Sequence, residues 1–170
     1  MKAIILLITL IMTQFVIAAR NCELYIPDEW PDSRYTIEVV SGNHVVTDNK
    51  TGLMWKKCSE GLTDANCSTG SITTHTWQQA LDLASTTEFA GFSDWRLPNI
   101  EELRSIAAIN CYEPSNNETV FPNTSSNLFW SSSPVVNNDI EAWVVNFNFG
   151  NDGDENRVNS HHVRLVRSGQ

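Results

Sequence analysis

The chain has 170 residues, 11 basic against 20 acidic, and a formal net charge of −9. Such acidity sets aside nucleic acid, anionic lipid and sulfated polysaccharide as default partners, because like charges repel. The length suits one domain, and the four cysteines contain no Cys-x-x-Cys pair of the kind a structural zinc site uses.

Residues 1–18 begin with Lys2, run apolar from Ala3 to Met12 and lead into the small residues Ala18 and Ala19. A basic start, a short apolar core and a small-residue end make a secretory signal peptide. Thr9, Thr13 and Gln14 interrupt the run too often for a membrane span, which needs about twenty apolar residues. Cleavage leaves residues 19–170 as a single exported domain, one charge more negative than the whole because only Lys2 is lost. Arg20-Asn21 ahead of Cys22 argue against lipid attachment, which takes small residues there. Four cysteines in an exported chain predict two disulfides. Of the three pairings, the simplest closes Cys58 to Cys67 around a polar loop, which leaves Cys22 for Cys111. Each bridge is worth about 2–4 kcal/mol.

Residues 20–34 read as an extended arm punctuated by Pro27 and Pro31. Tyr35–Val40 is a β-rich run, Ser41-Gly42-Asn43 turns it and His44–Thr47 returns, which predicts a hairpin. Asp48–Gly52 is a second turn and Leu53-Met54-Trp55 a third strand. Thr76 and Gln79 form a capping box for a helix whose inner face carries Trp77, Ala80, Leu81 and Ala84. Pro98 keeps Leu97 extended, and Asn99 with Glu102 caps a second helix that buries Ile100, Leu103, Ile106 and Ala107. Residues 112–128 form a long polar loop. Strands at both ends and two helices between them give an α+β pattern, with the first strands and the last in one sheet. Six tryptophans fill much of a leucine-poor core.

In the last forty residues, Val145, Phe147 and Phe149 alternate with Asn146 and Asn148, the period of a half-buried strand. Val163–Val166 is a second strand. Between them, residues 151–162 have almost nothing to bury and many hydrogen-bonding groups, the layout of a binding loop on an apolar frame. The exposed candidates are Asn137, Asn138, Asp139, Asn146, Asn148, Asn151, Asp152, Asp154, Asn156, Arg157, Asn159, Ser160, His161 and His162. Asp152-x-Asp154-x-Asn156 resembles the start of a calcium loop, but Arg157 stands where an EF-hand has glycine and Val163 where it has glutamate. This excludes an EF-hand and leaves open a looser calcium site on Asp152, Asp154 and Asn156. No other cofactor is expected. Ser131–Ser133 beside His161 and His162 lack an orienting third group, so no catalytic residue is assigned.

Thr47–Trp55, Asp94-Trp95-Arg96-Leu97-Pro98 with Glu101-Glu102-Leu103, Phe129-Trp130-Ser131-Ser132-Ser133 and Val163-Arg164-Leu165-Val166-Arg167 resemble, in that order, the domain of unknown function 1566 family. This is also the C-terminal domain of the Legionella collagen-like adhesin. The likeness runs from about Ser33 to Arg167. It implies a C-type-lectin-like fold of the formylglycine-generating-enzyme branch, with two helices on small antiparallel sheets and long loops. It also implies a bacterial protein exported to the periplasm, cell surface or medium. The chain lacks the adhesin's Gly-x-y repeats, and its acidity argues against glycosaminoglycan binding. Some lectin-fold proteins of this kind are targets of diversity-generating retroelements, which rewrite adenines in a C-terminal region. Ten of the seventeen residues 146–162 are Asn, Asp, Ser or His, all reachable from Asn codons. The expectation is a non-enzymatic, adhesin- or lectin-like module for a protein or glycan ligand on a cell surface. A secreted metal-dependent enzyme of the same fold and a structural surface-assembly module are the alternatives.

Overall fold

A computed structural model describes residues 21–169; the predicted signal peptide, residues 1–18, lies outside the described residues. The elements in order are β1 (Asn21–Cys22), β2 (Tyr35–Val40), β3 (Asn43–Asp48), β4 (Leu53–Lys56), β5 (Leu62–Thr63) and β6 (Thr69–Gly70). They continue with α1 (Trp77–Thr86), α2 (Ile100–Ser105), β7 (Cys111–Tyr112), β8 (Leu128–Val135), β9 (Asn138–Asn146), β10 (Asn151–Asn156) and β11 (Val166–Ser168). Two sheets carry the domain, in the orders β11-β4-β3-β2 and β10-β9-β8, with short ladders β1-β7 and β5-β6 beside them. All are antiparallel, so the α+β expectation holds and the first strands meet the last.

The predicted hairpin of β2 and β3 turns on Ser41 and Gly42, both at positive φ (48° and 78°), as a two-residue hairpin loop requires. The next turn is held from inside by Asp48. Its fully buried carboxylate accepts hydrogen bonds from Arg34 Nε (2.8 Å) and Nη2 (2.5 Å), Thr51 Oγ1 (2.9 Å) and the Lys50 amide (3.0 Å). Burial alone raises the pKa of Asp48, but the bonds from Arg34, Thr51 and Lys50 outweigh it and the net shift is downward. Both capping boxes form as predicted: Gln79 N donates to Thr76 Oγ1 and Glu102 N to Asn99 Oδ1.

Neighbouring residues on the same strand point into different cores. Val46, Trp55, Phe129, Val145 and Val166 join Leu103, Ile106 and Phe121 on one side. Val45, Met54, Trp130, Val144 and Leu165 join Ala80, Ala84, Trp95 and Leu97 on the other. The pairs Val45-Val46, Met54-Trp55, Phe129-Trp130 and Val144-Val145 thus divide by the two-residue period of a strand. Each helix closes one side: α1 covers the second core and α2 the first.

Both disulfides match the simplest pairing, Cys22–Cys111 and Cys58–Cys67. The polar loop 112–128 forms as expected but turns part of its length inward, with Ser115, Asn116 and Asn117 at most 1% exposed. The amide of Asn117 donates to Trp30 O (2.8 Å) and Asp32 Oδ1 (2.7 Å), and that of Asn116 to Phe121 O (2.9 Å) and Thr124 Oγ1 (2.7 Å). Asparagines here replace water as hydrogen-bond partners. Phe147–Gly150 is a turn rather than strand, so Phe147 is buried and Phe149 is 61% exposed. Finally, the strand expected at Val163–Val166 is shifted: residues 163–167 are all buried, and regular pairing with β4 begins only at Val166.

Candidate functional site

The segment 151–162 is not one loop. Residues 151–156 form β10, the outer strand of its sheet, and only 157–160 lie outside regular pairing as a turn. Acidic residues on such an edge discourage pairing with another chain. The calcium candidates Asp152, Asp154 and Asn156 lie on this strand, which spaces the first and last roughly 13 Å apart along the backbone. Asp152 is also engaged by Arg104 (3.5 Å). Among the described residues no group of three or more His, Cys, Asp or Glu is placed to hold a metal ion.

The β9–β10 hairpin separates the candidate residues into two groups. Its turn carries Asn146, Asn148 and Asn151, where Asn146 Oδ1 accepts from Asn148 N (2.9 Å) and Asn146 O from Gly150 N (2.8 Å). Gly150 sits at φ 78°, and a Cβ there would stand 3.0 Å from Ser115 Oγ, so the position suits glycine. About 20 Å away, at the six-residue strand's other end, the β8–β9 turn meets the chain leaving β10. Here Asn137, Asn138, Asp139 and Arg157 line an open concavity with Val135. Asn137, Asp139, Asn159 and Ser160 are exposed. So are Val136 (82%), Ile140 (57%) and Val158 (77%), which the sequence alone did not single out.

Several candidates at this end serve the frame. The Arg157 guanidinium lies 4.4 Å from the Trp77 ring centre, and its Nε donates to Glu141 O (3.0 Å). His161 packs edge-on against Trp130 at 4.8 Å, with Glu155 3.6 Å from its Nε2. His162, expected at the surface, is only 8% exposed; its Nδ1 donates to Thr73 O (3.1 Å) and its ring lies 5.2 Å from Phe129. Strand alternation explains the correction, since His161 and His162 point to opposite faces and one must point in. The serines after Trp130 are likewise engaged. Ser131 Oγ donates to Trp143 O (2.7 Å), and Ser133 Oγ accepts from Ile100 N (3.0 Å) at the start of α2.

Burial lowers the pKa of both histidines; Glu155 partly offsets this for His161 and the Thr73 hydrogen bond for His162. A histidine whose folded pKa lies below its unfolded value stabilises the fold above about pH 6.5 and loses that contribution as pH falls toward the folded value. The melting temperature is therefore expected to decline from pH 7.5 to 5.5. His162→Asn should flatten that slope, and an unchanged slope would exclude His162 as its cause.

Residues 44–167 match the sequence model of the Lcl C-terminal domain. The search of curated proteins returns no match. With most of the chain matched, including both helices and the β8–β10 sheet, this protein belongs to the Lcl C-terminal domain family.

Proposed function

We propose that this is an exported, adhesin-like module that binds a protein or glycan on a cell surface without turning it over. The observation that carries the reading is the convergence of Asn137, Asn138 and Asp139 with Arg157 at one end of the hairpins, with Val136, Ile140 and Val158 exposed in the same segments. Exposed apolar side chains among amides make a contact surface with both burial and hydrogen bonding to offer. Family membership points to a surface adhesin-like domain. Two disulfides suit an oxidising compartment. Among the described residues no helix is long and apolar enough to cross a membrane.

In this reading the fold is C-type-lectin-like, and Asn146, Asn148 and Asn151 join the contact only for a ligand spanning both hairpin ends. Capture needs no cofactor. The Asn-rich tail is the ground for proposing retroelement diversification. Its genomic sign is a near-copy of the segment encoding residues 135–170, with mismatches confined to adenines.

The triple variant Asp139→Ala, Val158→Ala, Asn159→Ala should bind cultured epithelial cells at least tenfold more weakly, the loss expected when a contact centre is truncated. Its melting temperature should stay within about 2 °C, since exposed substitutions change stability little. Binding by the unchanged protein should persist in chelator. Full binding by the triple variant would move the contact surface elsewhere, and metal-dependent ligand breakdown would favour the enzymatic alternative.

A further inference from the structure

The fold accounts for five of the six tryptophans. Trp30, Trp77, Trp95 and Trp130 each donate the indole N–H to a backbone carbonyl, at 2.8–2.9 Å, on Ser105, Ser131, Phe89 and His75. Trp55 is fully buried in the first core, accounted for by packing although its N–H finds no acceptor among the described residues. Trp143 differs. It is half-buried, belongs to neither core, and among the described residues its ring meets no aromatic or cationic side chain and its N–H no acceptor.

The strand register shows what surrounds it. Asp154 lies directly across from Trp143, and Asn156 across from Glu141, so all four share one face of the β9–β10 pair. On that face Val145 goes under α2 into the first core and Asp152 is taken by Arg104. Toward the β8–β9 turn that face is less covered, with Asp154 exposed and Glu141 and Asn156 half-buried. Glu141 accepts from the Asn138 amide, and Asp154 has no cationic partner among the described residues. Asn156 Oδ1 is occupied by Val158 N (3.1 Å), which leaves its amide nitrogen as a donor. Burial, followed by hydrogen bonding to Asp154, raises the Glu141 carboxyl above the usual carboxylate range.

We infer that Trp143, ringed by Glu141, Asp154 and Asn156, is a stacking subsite for a neutral pyranose ring. The inference rests on the binding role proposed above and names its ligand class. The C–H face of a sugar covers an indole face, and sugar hydroxyls both donate and accept. That matches a rim carrying carboxylate acceptors and an amide donor, whereas a lysine or arginine side chain has no use for the donor. The local carboxylates repel sulfated and uronic sugars. A shallow strand face suits a ring that lies flat.

The test uses an array of neutral hexose and N-acetylhexosamine oligosaccharides, with heparin and lysine- and arginine-rich peptides printed beside them. The full secreted chain should bind neutral oligosaccharides. Trp143→Ala should bind them at least tenfold more weakly, Trp143→Phe should recover part of the loss, and both should melt near the parent temperature. Unchanged binding by Trp143→Ala, or Trp143-dependent binding confined to peptides or heparin, would overturn the inference. Cell binding separates its failure from that of the wider reading. If the tip triple variant loses cell binding while Trp143→Ala keeps it, the sugar subsite is wrong and the adhesin role stands. If neither variant loses cell binding, both are wrong.

Discussion

Replacing Arg164 with leucine is expected to destabilise the domain by about 3–5 kcal/mol, the usual cost of removing one member of a buried, charged hydrogen-bond set. Arg164 is 1% exposed. One guanidinium nitrogen donates to Lys56 O (3.3 Å) and to Lys57 O, and the other to Ser59 Oγ (3.1 Å) and Thr124 Oγ1 (2.8 Å). The group also lies 4.8 Å from the centre of the Phe121 ring. It therefore joins the end of β4, the start of the Cys58–Cys67 loop and the buried polar loop. Burial pushes its pKa down to about 9, with Glu60 opposing, so it remains charged at neutral pH. Leucine fills part of the volume but leaves carbonyls and a hydroxyl dry and unpaired. Lysine should recover less than half of the loss, because one ammonium cannot reproduce the planar fork. Chemical denaturation of the two variants measures this directly. A loss below about 1 kcal/mol in the leucine variant would show that the neighbouring carbonyls find other donors.

The second large effect is expected at Cys22–Cys111. This bridge closes a loop with a sequence separation of 89, against 9 for Cys58–Cys67. On the chain-entropy account the long loop is worth roughly 4.6 kcal/mol and the short one roughly 2.7, because each bridge chiefly restricts the unfolded chain. Near Cys22 the folded arm has little else to hold it, since Leu24 and Tyr25 are 99% and 80% exposed. The paired variant Cys22→Ser, Cys111→Ser should thus melt about 10–18 °C lower, and the paired Cys58→Ser, Cys67→Ser variant about 5–10 °C lower. The reverse order would mean that the short loop's packing around Arg164 outweighs loop entropy.

Local chemistry made much of the fold legible. The Ser41-Gly42 turn, both capping boxes and the local disulfide depend on residues within ten positions of each other, and all formed as expected. The binding surface was harder to read. Polar composition made 151–162 look like one loop, because an acidic outer strand and a loop share the same residues. Only pairing with β9 shows that 151–156 is a strand, and that pairing separates Asn146–Asn151 from Asn137–Asp139. Trp143 was legible in principle. The alternation of residues 139, 141, 143 and 145 places it on one face, but whether that face is covered depends on how far α2 reaches.

The sequence by itself determined the first three strands of the main sheet, both helix starts, the local disulfide and the family, because those rest on short-range backbone preferences and on motif order. Tertiary structure alone decided which polar residues go inside. Asn117, His162 and Arg164 have the same chemistry as their exposed neighbours. They are buried because distant segments supply their partners: Trp30 and Asp32 for Asn117, Thr73 for His162 and the carbonyls of Lys56 and Lys57 for Arg164. Burying a polar group is tolerable only where a partner waits, and no window of sequence contains both halves of such a pair.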